Sequence, residues 1–116
     1  MIFIVDDNDT NLATAAAALE TEFRIMTIPS AAGMFSLLKK RSPDLILLDI
    51  EMPEMGGFEA ISSLRGNPEW RDIPVIFLTG WHDEKLVADA LALGALEVLS
   101  KPIDSSVLLS SVKKYI

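Results

Sequence analysis

Ile2-Phe3-Ile4-Val5-Asp6-Asp7 opens the chain with four apolar residues, three of them β-branched, that stop abruptly at two acids. The same form recurs as Leu45-Ile46-Leu47-Leu48-Asp49 and again as Val75-Ile76-Phe77-Leu78-Thr79-Gly80. A strand with one wet face alternates apolar and polar residues. Unbroken apolar runs belong instead to parallel strands covered on both faces. Residues 23–28 and 95–99 are weaker candidates for two further strands.

The segments between these runs have helical spacing. Leu12, Ala16, Leu19 and Phe23 lie three or four apart after a cap at Asn8 or Asp9. Ser30 caps a second helix carrying Met34, Leu37 and Leu38, and Phe58, Ile61 and Leu64 mark a third, stopped by Gly66 and Pro68. Asp83 opens a fourth with Leu86, Ala90 and Leu93, and Gly94 sits where a left-handed helix end belongs. Asp104 opens a fifth, with Val107 or Leu108, Ser111, Val112 and Tyr115 along one face. The alanines at 15–18 read as close helix packing. Five strand–helix alternations with short connections predict an α/β fold, a three-layer doubly wound sandwich with right-handed crossovers. The expectation is one domain over residues 1–116, beginning and ending inside predicted elements, with no output domain attached.

Bulk properties narrow the function. A chain of 116 residues, half of them hydrophobic, has room for one well-filled core. The net charge of −7 argues against direct nucleic-acid binding, which needs clustered Lys and Arg to neutralise phosphates. Lys39, Lys40 and Arg41, the densest basic run, read as a solvated helix terminus. Without cysteine there is no disulfide and no thiolate metal site, and the single histidine, His82, builds no histidine-rich one. His82 is expected to be an exposed loop or helix-start residue without a role. No apolar run is long enough to span a bilayer and no cleavable leader is evident, so a soluble, cytoplasmic chain is expected.

In open α/β sheets, ligands gather at the carboxyl ends of the strands, near the switch point in strand order. Asp6 and Asp7 end the first strand, Asp49 the third and Thr79 the fourth, while Lys101 follows the fifth. Five polar side chains far apart in sequence therefore converge on one edge. Three carboxylates in one pocket repel each other, and a hard divalent cation such as Mg²⁺ relieves that repulsion. A carboxylate can also act as a nucleophile toward phosphorus, with a cation, Lys101 and the Thr79 hydroxyl supporting the transferred group.

Val5-Asp6-Asp7-Asn8, the run from Leu48-Asp49 through Glu51-Met52-Pro53 to Gly56-Gly57-Phe58, Leu78-Thr79 and Lys101-Pro102 together resemble the signatures of response-regulator receiver domains. The resemblance covers the whole chain, in the family's order and spacing. It implies a flavodoxin-like, five-stranded parallel sheet of order 2-1-3-4-5 with five helices. It also implies that Asp49 accepts a phosphoryl group from a histidine kinase or histidine phosphotransfer protein. Asp7, Asp49 and the backbone carbonyl of Glu51 would hold Mg²⁺ or Mn²⁺ directly, with Asp6 acting through water. Thr79 would move toward the phosphoryl group, Lys101 would pair with it, and Pro102 would follow a cis peptide bond. Output would pass to a downstream protein or linked domain, and the fourth helix, fifth strand and fifth helix would form the face that docks partners or a second copy.

Some positions depart from that pattern. Val98 stands where many receivers carry an aromatic residue that rotates inward, and a β-branched side chain has little rotamer freedom. Output is then expected from loop and fourth-helix movement. Gly80 replaces the usual alanine, and Glu51 and Trp81 flank the pocket, with Trp81 expected to shield it and Glu51 to add charge. Trp70 reads as structural. The leading function is a phosphorylation switch and not an enzyme with sustained turnover. The alternative is a phosphorylation-independent interaction module of the same fold. An aspartate-nucleophile phosphatase of the haloacid dehalogenase type fits poorly, because the nearest match, residues 7–11, ends on Asn11 and no cap domain is present.

Overall fold

The computed structural model describes residues 1–81 and 83–116, so the expectation for His82 lies outside the described residues. The elements alternate as β1 (Ile2–Val5), α1 (Asp9–Leu19), β2 (Ile25–Ile28), α2 (Ala31–Leu38) and β3 (Leu45–Asp49). They continue as α3 (Gly57–Arg65), β4 (Val75–Thr79), α4 (Glu84–Ala92), β5 (Glu97–Ser100) and α5 (Ser105–Lys113). All pairings are parallel and the order is β2-β1-β3-β4-β5, the flavodoxin-like arrangement expected.

The three unbroken apolar runs are the three central strands, and every residue in them is buried. Side chains leave a strand on alternate faces, so each run serves two cores. Phe3, Val5, Ile46, Leu48, Val75 and Phe77 pack under α2, α3 and α4 with Met34, Ile61, Leu64 and Ala90. Ile2, Ile4, Leu45, Leu47, Ile76 and Leu78 face α1 and α5 with Leu12, Leu19, Leu108 and Val112. Ala15 is buried in that second core and Ala16 and Ala18 border it, where α1 packs beside α5.

The helix starts follow the capping residues. Asn8, Ser30, Asp83 and Asp104 each accept a backbone N–H from the first turn of their helix. Gly94 ends α4 at φ +99°, a left-handed conformation that glycine adopts without steric cost. Trp70 stacks at a tilt on Phe35 with ring centroids 5.5 Å apart, a structural contact as expected.

The differences are at element ends and faces. β2 begins at Ile25, because Phe23 closes the α1–β2 turn by donating its N–H to the Leu19 carbonyl at 2.9 Å. Ala95 is likewise spent on the α4 end, donating to the Ala90 carbonyl at 3.1 Å, so β5 starts two residues later. α1 buries Leu12, Ala15 and Leu19, while α5 buries Leu108, Ser111 and Val112 and leaves Val107 half exposed.

Candidate functional site

Strand register builds the site. Val5 pairs with Leu48, so Asp6 and Asp49 leave adjacent strands at the same level. Asp49 pairs with Leu78 and Thr79 with Ser100, which puts Thr79 and Lys101 one residue further along the same edge. The order of strand addition reverses at β1, with β2 on one side of it and β3 on the other, and the crevice opens there. Gly57 starts α3 tightly against this edge. A Cβ there would lie 2.8 Å from both the Asp49 carbonyl oxygen and the Ile50 Cα, closer than any side chain allows.

Asp6 and Asp49 are almost fully buried, Thr79 is fully buried, and Asp7 is exposed at the mouth. Lys101 Nζ sits 2.9 Å from Asp6 Oδ2 and 2.9 Å from Asp49 Oδ1, bridging the two buried acids. Asp6 Oδ1 accepts the Asn8 N–H at 2.9 Å and Asp49 Oδ1 the Glu51 N–H at 3.3 Å. Asp6 Oδ2 receives no well-directed hydrogen bond and is balanced by the lysine charge alone among the described residues. The Lys101–Pro102 peptide bond is cis, as expected.

Burial pushes the Asp49 carboxyl up to about 7; the Lys101 hydrogen bond opposes this and the nearby Asp6 charge adds to it. Burial works to lower the Lys101 ammonium, but the hydrogen bond to Asp49 and the adjacent Asp6 charge outweigh it and hold that group above its ordinary value. One ammonium therefore stabilises two acids that would otherwise repel each other.

Each of Asp6, Asp7 and Asp49 offers a carboxylate oxygen within 4.8 Å of the others'. All the donors are hard oxygens, one is buried without a hydrogen bond, and Asp7 faces solvent. That set fits a small, hard divalent cation.

Thr79 makes contacts that the sequence did not disclose. Its hydroxyl donates to the Glu51 carboxylate and accepts the Trp81 backbone N–H at 3.0 Å, with the Trp81 carbonyl at 3.2 Å. Sequence placed Glu51 here for its backbone carbonyl and its charge; nothing in the order of residues indicates where its side chain turns. Trp81 is 70% exposed and its indole N–H donates to Asp83, the cap of α4, at 2.9 Å. Val98 is half-buried against the α2–α4 core, and a Cβ on Gly80 would meet nothing within 4 Å.

An acid-lined pocket bridged by lysine, at the switch point of a doubly wound parallel sheet, defines the class. Residues 2–113 match the family model of the response regulator receiver domain, and the chain belongs to that family, the receiver domains of two-component response regulators. It is 37% identical over 115 residues to a probable cyclic di-GMP phosphodiesterase of Vibrio cholerae; the match covers 99% of this chain and 26% of that relative. The chain thus spans about a quarter of that relative's length. Among solved structures it resembles the signal receiver domain of a signal transduction histidine kinase from Syntrophus aciditrophicus, at 36% identity and TM-score 0.87, covering 98% and 87% of the two chains. The chemotaxis protein CheY4 of Vibrio cholerae shares the fold at 23% identity and TM-score 0.92, covering 99% and 97%.

Proposed function

We propose that the chain is a phosphoacceptor switch that takes a phosphoryl group on Asp49 from a phosphohistidine of a histidine kinase or phosphotransfer protein. The observation that carries this reading is the Lys101 bridge, 2.9 Å to Asp6 and 2.9 Å to Asp49, beside three converging carboxylates. Asp49 Oδ1 is occupied by Lys101 and the Glu51 N–H, which leaves Oδ2 as the attacking oxygen. A new Oδ2–phosphorus bond forms as the phosphorus–nitrogen bond of the donor breaks, and the pair of electrons leaves on the imidazole. Lys101 then shares its charge between the Asp6 carboxylate and a phosphoryl oxygen, and the Thr79 hydroxyl donates to another. Asp7, Asp49 and the Glu51 carbonyl, with Asp6 through water, would hold Mg²⁺ or Mn²⁺, whose charge offsets that of the transferring group. The only chemistry is the chain's own phosphorylation and its hydrolysis, so it is a switch and not an enzyme.

In this reading the donor proteins and the site are cytoplasmic, and output passes through protein contact around α4, β5 and α5, to a downstream protein, a linked domain or a second copy. The described residues include no helix long and apolar enough to cross a membrane. Val98, an aliphatic residue where an aromatic switch is usual, is the one observation favouring an interaction module that works without phosphate. Intact-mass spectrometry after incubation with acetyl phosphate separates the readings. One adduct that needs Mg²⁺ and is lost in Asp49→Asn is expected; a folded protein that takes no adduct from any donor supports the phosphate-independent module.

A further inference from the structure

We infer that Glu51 is a positioning residue that holds the Thr79 hydroxyl at rest and thereby opposes phosphorylation. The inference rests on Asp49 being the phosphoacceptor. Thr79 is fully buried and its hydroxyl has a single proton. At rest that proton is given to the Glu51 carboxylate, while the hydroxyl oxygen accepts the Trp81 N–H at 3.0 Å. Glu51 follows Asp49 by two residues and its N–H donates to Asp49 Oδ1 at 3.3 Å, so its backbone is fixed at the acceptor as its side chain spans to the hydroxyl. A phosphoryl group on Asp49 brings oxygens that need the same proton. Glu51 and the phosphoryl group then compete for one donor, and like charge drives them apart. The Glu51 side chain has to release Thr79 and swing outward before the hydroxyl can turn inward.

Losing the carboxylate leaves the Trp81 carbonyl, 3.2 Å away, as a longer acceptor, so the resting state is weakened without leaving the hydroxyl unpaired. A net hydrogen bond in protein is worth about a three- to tenfold change in an equilibrium. The test measures the steady-state phosphorylated fraction by intact mass, at fixed acetyl phosphate and Mg²⁺. The proteins are wild type, Glu51→Ala, Glu51→Gln, Thr79→Val and Glu51→Ala combined with Thr79→Val. In the unphosphorylated proteins, hydrogen exchange at the Trp81 amide is followed as well. The expected result is a phosphorylated-to-unphosphorylated ratio about three- to tenfold higher in Glu51→Ala. Glu51→Gln, which keeps an acceptor oxygen, should fall nearer wild type. In the Thr79→Val background the Glu51→Ala effect should shrink below about twofold, because no hydroxyl remains to compete for. Trp81 amide exchange should rise in Glu51→Ala before any phosphorylation. An equal gain in Glu51→Ala with or without the Thr79 hydroxyl, matched by Glu51→Gln, would show simple charge repulsion and overturn the inference while leaving Asp49 as acceptor. No adduct in any protein would defeat the Asp49 reading, and the inference with it.

Discussion

Asp49, the phosphoacceptor in the proposed reading, is also a residue whose burial opposes stability. Its carboxyl is held up near 7 in the fold, against 3.8 for an ordinary aspartate, chiefly because it is buried. Between those values the folded protein binds a proton that the unfolded chain has released. Stability contributed by this group is therefore present below about pH 4 and lost as pH rises toward 7. With chelator present, Asp49→Asn should melt higher than wild type near neutral pH, and its stability should fall less between pH 4 and 7. An unchanged slope in thermal melts would show that the carboxyl is not desolvated as the geometry requires. Gly57 is the other decisive residue. Gly57→Ala puts a Cβ 2.8 Å from two backbone atoms, so it should cost about 1–3 kcal/mol in denaturant unfolding and displace the loop carrying Glu51. At this scale the site was largely legible: Asp6, Asp7, Asp49, Thr79 and Lys101 all lie at a strand end or within two residues after it, and strand ends are readable from apolar runs. The bond between the Glu51 carboxylate and the Thr79 hydroxyl was not, because side-chain direction on a loop is set by partners from other elements.

Among the elements, α3, α4 and α5 are tied down by specific polar anchors. Arg65, at the end of α3, donates to the carbonyls of Arg71 and Ile73 at 2.9 Å and of Gly94 at 3.0 Å. One guanidinium thus fixes the turns before β4 and β5. Arg65→Ala should lower stability by about 1–3 kcal/mol, since it strands carbonyls that had a charged donor. It should also raise hydrogen exchange at the α4–β5 turn, and unchanged exchange there would contradict the clamp. Glu97 on β5 accepts Tyr115 Oη–H at 2.7 Å, the Ser111 hydroxyl at 3.2 Å and Lys114 Nζ at 3.4 Å. Burial pushes the Glu97 carboxyl up, but the Tyr115, Lys114 and Ser111 hydrogen bonds outweigh it and hold it below its ordinary value. A lowered acid stabilises the fold above its unfolded value and loses that contribution as pH falls through the folded one. The end of α5 should therefore loosen under acid, and Glu97→Gln should remove that acid sensitivity in amide exchange of residues 111–115. Equal acid sensitivity in both proteins would rule this out. Helix starts were legible because Asn8, Ser30, Asp83 and Asp104 are good caps. The polar anchors were not, since each joins residues that sequence spacing does not relate.

For the whole molecule, legibility follows burial. β1, β3 and β4 are covered on both faces, and their composition declares them. β2 and β5 are the sheet's edges, half-buried or exposed at most positions, so each carries a diluted signal and their bounds shift by two residues. Strand order is also invisible to periodicity, which says that strands exist and not which are neighbours; the motif resemblance supplied it. In the proposed reading this topology makes Asp49, and no other acid, the phosphoacceptor. The most direct test is to phosphorylate the protein with acetyl phosphate and Mg²⁺, reduce the acyl phosphate with borohydride, and locate the modified residue by peptide mass spectrometry. Homoserine at position 49 alone is expected. Homoserine at position 6 or 7, or no conversion in a folded and Mg²⁺-loaded protein, would contradict it.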